Sequence, residues 1–256
     1  KNLTLEMGSP NNLKDLTFSS SELEYLEKKD DLRMCVIPNA MPYSDIKNDK
    51  YIGFVADYMA LIENKIKKPI RVVETSSWKE SLDFIRTGKC DLLPSAVWNK
   101  QRDDEFSFTK PYLNIPFVLM TKSSNSFIDN LSSLKNKRIS IIENYAILNI
   151  LKNKYKEVEF VEVKDIDEGL NKVLNGETYG HIDAVFTAWH KLQTKYLTKI
   201  SITAKLNENV DISIATIHDN VLYSIFQKAV LSIDDFVKDE ILYKWIMEEP
   251  YTVGIL

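Results

Sequence analysis

The chain repeats itself. Two stretches run strand, helix, strand, helix, strand in the same order, and this echo limits the fold more than any other feature. The first places strands at 32–37, Ile70–Glu74 and Asp91–Leu93, with helices over about 54–66 and 78–86. The second places strands at Arg138–Ile142, Val158–Val163 and Ile182–Phe186, with helices over about 145–154 and 166–174. Strands alternating with amphipathic helices predict βαβ units and mostly parallel sheets. The match reaches single positions. Ser77 and Asp165 each stand three residues before a glutamate, Glu80 and Glu168, which is capping-box spacing. Leu82 and Ile85 match Leu170 and Val173 as buried stripes, and Gly88 matches Gly176 just past each helix end. An acid follows in each copy, Asp91 and Asp183, with about four extra residues (Glu177–Gly180) before the second. Two similar lobes are expected.

Between the copies, Phe106–Met120 carries Pro111 and Pro116, which exclude a central helix and predict an extended crossover. Val210–Ile217 alternates with period two, and helices fill about 220–247. This last piece is too small to stand alone, so it should return to complete the first lobe. Two crossings between two lobes would form a hinge around a cleft. The expected division is 1–31 as a leader or linker with a short helix, 32–113 plus 210–247 as lobe 1, 114–209 as lobe 2, and 248–256 as a tail or linker.

With 256 residues, 44% hydrophobic and 27% charged, the chain can bury a sizeable core. Net charge is −4 and lysines are scattered, which argues against a nucleic-acid partner. No run of about 20 apolar residues marks a membrane span. Lys1 opens on polar sequence without a signal peptide, which leaves either a cytoplasmic chain or a trimmed part of an exported one, and Leu256 ends abruptly on apolar residues, so the natural polypeptide is expected to continue past it. Cys35 and Cys90 permit one disulfide without predicting it, and both are expected to serve as small buried hydrophobes. His181, His190 and His218 have no metal-ligand spacing, and no nucleophile elbow, P-loop or dinucleotide fingerprint is present. No enzyme activity, catalytic residue, metal or cofactor is expected.

Several segments carry a family resemblance: Pro42-Tyr43, Tyr51–Tyr58, Ser76–Leu82, Gly88–Ser95, Arg102 and Phe108–Tyr112. In this order they resemble family 3 bacterial extracellular solute-binding proteins, over most of 21–247. With the lead-in Leu16–Glu27 and the wording Thr75-Ser-Ser-Trp78 and Asp91-Leu-Leu-Pro94, the resemblance leans to the Venus flytrap sensor modules of membrane-bound histidine kinases and diguanylate cyclases. It implies a two-lobed α/β fold of the periplasmic-binding-protein type II kind: mostly parallel sheets, antiparallel crossover strands and two hinge strands. Arg102 falls where the family's amino-acid binders clamp a ligand carboxylate, a role suited to a planar guanidinium fork; the alternative is a surface arginine paired with Asp103, Asp104 or Glu105. Trp78 and Tyr43 would face the ligand, with a purely structural tryptophan as the alternative for Trp78. Ser95 and Val97 would serve the carboxylate, and Asn144, Tyr145 and Ala146 would start a lobe-2 helix offering free N–H groups. Thr187 would follow the last lobe-2 strand into the cleft.

The sequence departs from the family at three places. Ala188 stands where amino-acid binders often carry the acid that holds the ammonium, Asn144-Tyr145 replaces a glycine-rich helix start, and Trp98 replaces something smaller. Glu143, Asp57 and Asn39 are the candidates to supply the missing acid or acceptor. The resemblance implies a small carboxylate ligand: an amino acid, an organic or aromatic acid, or a modified or peptide-like ligand. It also implies an extracytoplasmic location and a tether to a membrane signalling protein, with a dimer as one full-length arrangement. The alternatives are a solute receptor for an ABC transporter and, more remotely, a cleft enzyme of the same fold, of dehydratase or lytic transglycosylase type.

Overall fold

In the computed structural model, which describes residues 16–248, an opening helix α1 (Ser20–Lys28) leads into strand β1 (Leu32–Cys35). A hairpin of β2 (Asp45–Lys47) and β3 (Lys50–Ile52) follows, then α2 (Phe54–Ile66), β4 (Ile70–Val73), α3 (Trp78–Arg86), β5 (Leu92–Val97) and the short α4 (Lys100–Asp103). β6 (Ser107–Phe108) and β7 (Leu113–Lys122) cross to the second half, which holds β8 (Arg138–Ile142), α5 (Ala146–Lys154), β9 (Glu159–Val163), α6 (Ile166–Asn175), β10 (Gly180–Ala184) and α7 (Val185–Lys191). β11 (Ile200–Thr216) returns to the first half, where α8 (Asn220–Leu231) and α9 (Asp235–Tyr243) follow.

The order of paired strands is β4-β1-β5-β11-β7-β10-β8-β9. β1 pairs in parallel with β4 and β5, and β8 in parallel with β9 and β10. The two parallel groups meet through antiparallel β7 and β11, which serve both halves. Their register shifts between Lys205 and Asn209, beside Pro116. Proline cannot donate a ladder hydrogen bond, so it is tolerated inside a strand where the pairing is already broken.

The helix boundaries of the echo agree closely with the sequence, and their causes are visible. Ser77 and Asp165 accept hydrogen bonds from the backbone N–H of Glu80 and Glu168. Each glutamate reaches back one residue beyond the cap, accepting from the N–H of Ser76 and of Lys164 at 2.6 and 2.8 Å. Gly88 and Gly176 take φ of 72° and 76°, where an L side chain is strained.

Three expectations are corrected. The second echo ends differently: β10 stops at Ala184, and Val185-Phe186 already turn into α7. β11 begins ten residues before Val210, because Ile200, Ile202, Ala204 and Leu206 already alternate; polar Asn207–Asn209 mask the continuity. Cys35 and Cys90 are joined in a disulfide, with Cα atoms 5.9 Å apart. Both were read as separate strand hydrophobes. Parallel pairing of β1 with β5 brings them side by side, a contact of 55 residues' separation that local reading cannot supply. Closing a loop of that length stabilises the fold by about 4 kcal/mol in the chain-entropy account.

The first half buries Phe54, Tyr58 and Ile62 of α2 against Leu222, Ile225 and Phe226 of α8. A second cluster sets Trp78, Leu82 and Ile85 of α3 beside the disulfide. The C-terminal helices therefore pack on the first half. The leader before Leu16 and the tail after Glu248 lie outside the described residues. Among the described residues no helix is long and apolar enough to cross a membrane.

Candidate ligand-binding site

Parallel βαβ units present their loops and helix starts at the C-terminal ends of the strands, where ligand crevices form. Here both halves turn those ends toward one cavity of about 70 Å³. Ile37, Ala40 and Tyr43 reach it from the loop after β1, and Trp78 from the start of α3. Ser95 and Val97 come from the end of β5, and Arg102 from α4. From the other half come Tyr145, Ala146 and Ile147 at the start of α5, Asp183 and Ala184 at the end of β10, and Thr187 in α7.

Arg102 is 6% exposed, so it is not a surface arginine. Asn99 caps its short helix and holds the backbone, accepting from Arg102 N–H at 2.8 Å. Its guanidinium donates to Val97 O at 3.2 Å and, across the cleft, to Asn144 O at 2.5 Å. Its Cζ lies 5.9 Å from the Trp78 ring centre, within cation–π range. Among the described residues no carboxylate pairs with it: Asp103 accepts from Trp98 Nε1, and Glu105 pairs with Arg86. Burial lowers its pKa to about 10, aided by the charge of Arg86 and opposed by Glu105. A buried guanidinium held only by carbonyls keeps a full positive charge and has donors to spare.

Trp78 is 3% exposed and does two jobs, lining the cavity and packing in the core. Tyr43 is buried and stands 6.2 Å from Phe186 of the opposite half, ring centre to ring centre. Burial raises the Tyr43 and Tyr145 hydroxyls well above the usual phenol range, and the Asp183 charge adds to the rise. The two halves also touch through Asn39 Nδ2, which donates to Asp167 Oδ2 at 3.0 Å, and through Thr187 Oγ1, which donates to Ala40 O at 3.4 Å.

Arg102, Trp78, Tyr43, Ser95, Val97, Tyr145, Ala146 and Thr187 thus all line this one cavity. Asn144 contributes a carbonyl rather than a donor. Its φ is 62°, which turns the peptide so that the oxygen faces Arg102. Trp98 is not a wall of the cavity: it is 55% exposed, drawn outward by the hydrogen bond to Asp103 at 2.8 Å. None of the candidate replacement groups lines the cavity. Asp57 accepts from Lys244 and Trp245, Asn39 is spent on Asp167, and Glu143 stands outside. The acid in the cavity is Asp183, 2% exposed, which the sequence reading placed only as a strand residue.

Residues 32–248 match the model for bacterial extracellular solute-binding proteins, family 3. The chain belongs to this family. The chain is also similar to the Virulence sensor protein BvgS of Bordetella pertussis, 20% identical over 231 residues, covering 89% of this chain and 19% of that protein's length. It is 26% identical over 164 residues to the Probable amino-acid-binding protein YxeM of Bacillus subtilis, covering 61% of this chain and 60% of that one. Among solved structures, the periplasmic VFT2 domain of Bordetella pertussis BvgS superposes with a TM-score of 0.82 at 20% identity, covering 90% of this chain and 99% of that one. This family 3 domain has the two-lobed Venus flytrap fold, with mostly parallel strands and antiparallel crossovers.

Proposed function

We propose that this family 3 domain is an extracytoplasmic ligand sensor that closes on a small carboxylate-bearing solute and belongs to a transmembrane signalling protein. The observation that carries the reading is Arg102: a buried guanidinium beside a cavity, without a carboxylate of its own among the described residues. A planar donor fork in a low-dielectric cleft favours a carboxylate, whose charge also offsets the cost of burying the cation. Ser95 adds a hydroxyl, and Trp78 an aromatic face. The moving bodies are residues 32–113 plus 210–247 and residues 114–209, swinging about β7 and β11. A ligand touching both bodies stabilises the closed arrangement over the open one, and that difference biases a signal. The similarity to the sensor protein BvgS supports this setting. A second reading, a receptor delivering solute to an ABC transporter, is favoured by the similarity to YxeM. In both readings the domain binds and does not catalyse.

The test is a thermal-shift screen of amino acids, organic acids and aromatic acids on the wild type, Arg102→Ala and Arg102→Lys. Ligand binding to the native state raises apparent stability by mass action, by about 2.7 kcal/mol at 100 times Kd. At least one acid should raise the wild-type melting temperature. Arg102→Ala should abolish the shift, and Arg102→Lys should retain part of it. An undiminished shift in Arg102→Ala removes the guanidinium from the site.

A further inference from the structure

β11 breaks its pairing with β7 beside the cavity. Lys205 pairs with Val118 and Asn209 with Pro116, so Leu206, Asn207 and Glu208 stand opposite Phe117 alone. Extra residues of this kind bend a strand and free its backbone from the ladder. The break lies on one of the two strands that join the halves, and it borders the cavity, which Phe117 and Val210 both line.

Glu208 turns inward from the break, with a side chain 7% exposed. Its Oε1 accepts from Tyr155 OH at 3.1 Å and from Lys154 Nζ. Burial alone would raise this carboxyl, but Lys154, its own backbone N–H and Tyr155 hold it below the usual range, so it is ionised at neutral pH. Its other oxygen, Oε2, is buried and finds no partner among the described residues. Lys154 ends α5 and Tyr155 is its C-cap. A carboxylate beside a helix C-terminus faces the negative end of the helix dipole, so helix stability alone does not explain its place.

The opposite end of α5 is held differently. Its N-cap residue, Tyr145, makes no side-chain cap, and its first turn carries no acid, whereas Ser77 and Asp165 cap α3 and α6. Yet this is the end that meets the cavity, through Tyr145, Ala146 and Ile147, and the Asn144 carbonyl just before it takes the Arg102 guanidinium across the cleft. Nine residues separate the two ends, about 13 Å of stiff helix. Ile147, Leu148 and Leu151 of that helix share a core cluster with Leu206 and Val210 of β11.

We propose that Glu208 is a positioning residue for the cleft. It ties the far end of α5 to the break in β11, so that strand and helix turn as one lever. The Asn144 carbonyl meets Arg102 only while that tie holds. This role rests on the reading of the cavity as a cleft whose halves swing about β7 and β11.

Magnetic resonance of the guanidinium protons, without ligand, tests this. The chain has five arginines, and Arg102→Lys identifies the Arg102 signals. In the wild type the Arg102 Nη protons should exchange slowly with water. In Glu208→Ala they should exchange about tenfold to hundredfold faster, the range for losing a hydrogen bond to a charged group. Arg33, held by Asp91 in the first half, should be unchanged. Glu208→Gln, which keeps an acceptor for Tyr155, should fall between the two. Should Glu208→Ala not fold, Lys154→Met breaks the tie from the half-exposed lysine and should speed Arg102 in the same direction. Unchanged Arg102 exchange in a folded variant overturns the role of Glu208, because a merely local brace does not reach across the cleft. Equal acceleration at Arg33 also overturns it, since that marks general loosening. No ligand enters these measurements, so either failure leaves the carboxylate reading of Arg102 to the thermal-shift screen.

Discussion

Residues in the cleft were legible in the sequence to the extent that a motif pinned them to a strand end or a helix start. Trp78 follows its N-cap by one residue, and α3 begins there, so the indole comes to the cavity. It also packs against the disulfide and Leu82, with Arg102 over its ring. Trp78→Ala should therefore lower stability by about 3–5 kcal/mol in urea unfolding. It should also weaken binding of apolar and aromatic acids more than that of small acids, measured at a temperature where the variant remains folded. Asp183 was hidden for a countable reason. The echo matched it with Asp91 by order along the chain, but Asp91 precedes β5 whereas Asp183 stands fourth in β10. The four extra residues before Asp183 are the missed signal: they move the acid from the far end of its strand to the cleft. Trp98 misled for the opposite reason, since nothing local tells which way a residue after a strand end will turn.

Elements were legible where caps and periodicity agreed, and long-range pairing was not. α1 shows both sides. Its capping box, Ser19 with Glu22, is written in the sequence, and Glu22 Oε2 accepts from the Ser19 N–H at 2.7 Å. The same glutamate also anchors α1 to α8, accepting from Ser224 Oγ at 2.5 Å and Lys228 Nζ at 2.7 Å, a contact across 200 residues that no local pattern announces. Burial alone would raise the Glu22 carboxyl, but the hydrogen bonds from Lys228, Ser224 and Ser19 overcome it and bring the value from 4.5 down to about 2. The folded value lies below the unfolded one. The stabilisation is therefore complete above about pH 4.5 and is lost as pH falls toward about 2. Urea unfolding across that range should show about 2–3 kcal/mol of pH-dependent stability that Glu22→Gln lacks. An identical pH profile for the two proteins would separate Glu22 from the docking of α1.

For the molecule as a whole, the echo gave the two halves and the crossover prolines gave the extended link, but the contacts that hold the halves together are matters of three-dimensional placement. Asn39 and Asp167 are far apart in the chain and meet only across the cleft. Asn39→Gly removes that side-chain bond and tolerates the φ of 54° found there. A hydrogen bond to a charged group is worth about 1.5–3 kcal/mol, so the closed arrangement should lose about tenfold or more against the open one. Small-angle scattering should record a larger radius of gyration for this variant, and ligand affinity should fall in step.

α1 packs on α8, and α9 packs on α2, so both helices ride on the first half. In the proposed closure that half is the fixed jaw: the span from α1 to α9 should stay constant, and only the jaw carrying α5, α6 and α7 should travel. Occupancy of the cavity would then be read outside it as a displacement of that one jaw relative to a stationary frame.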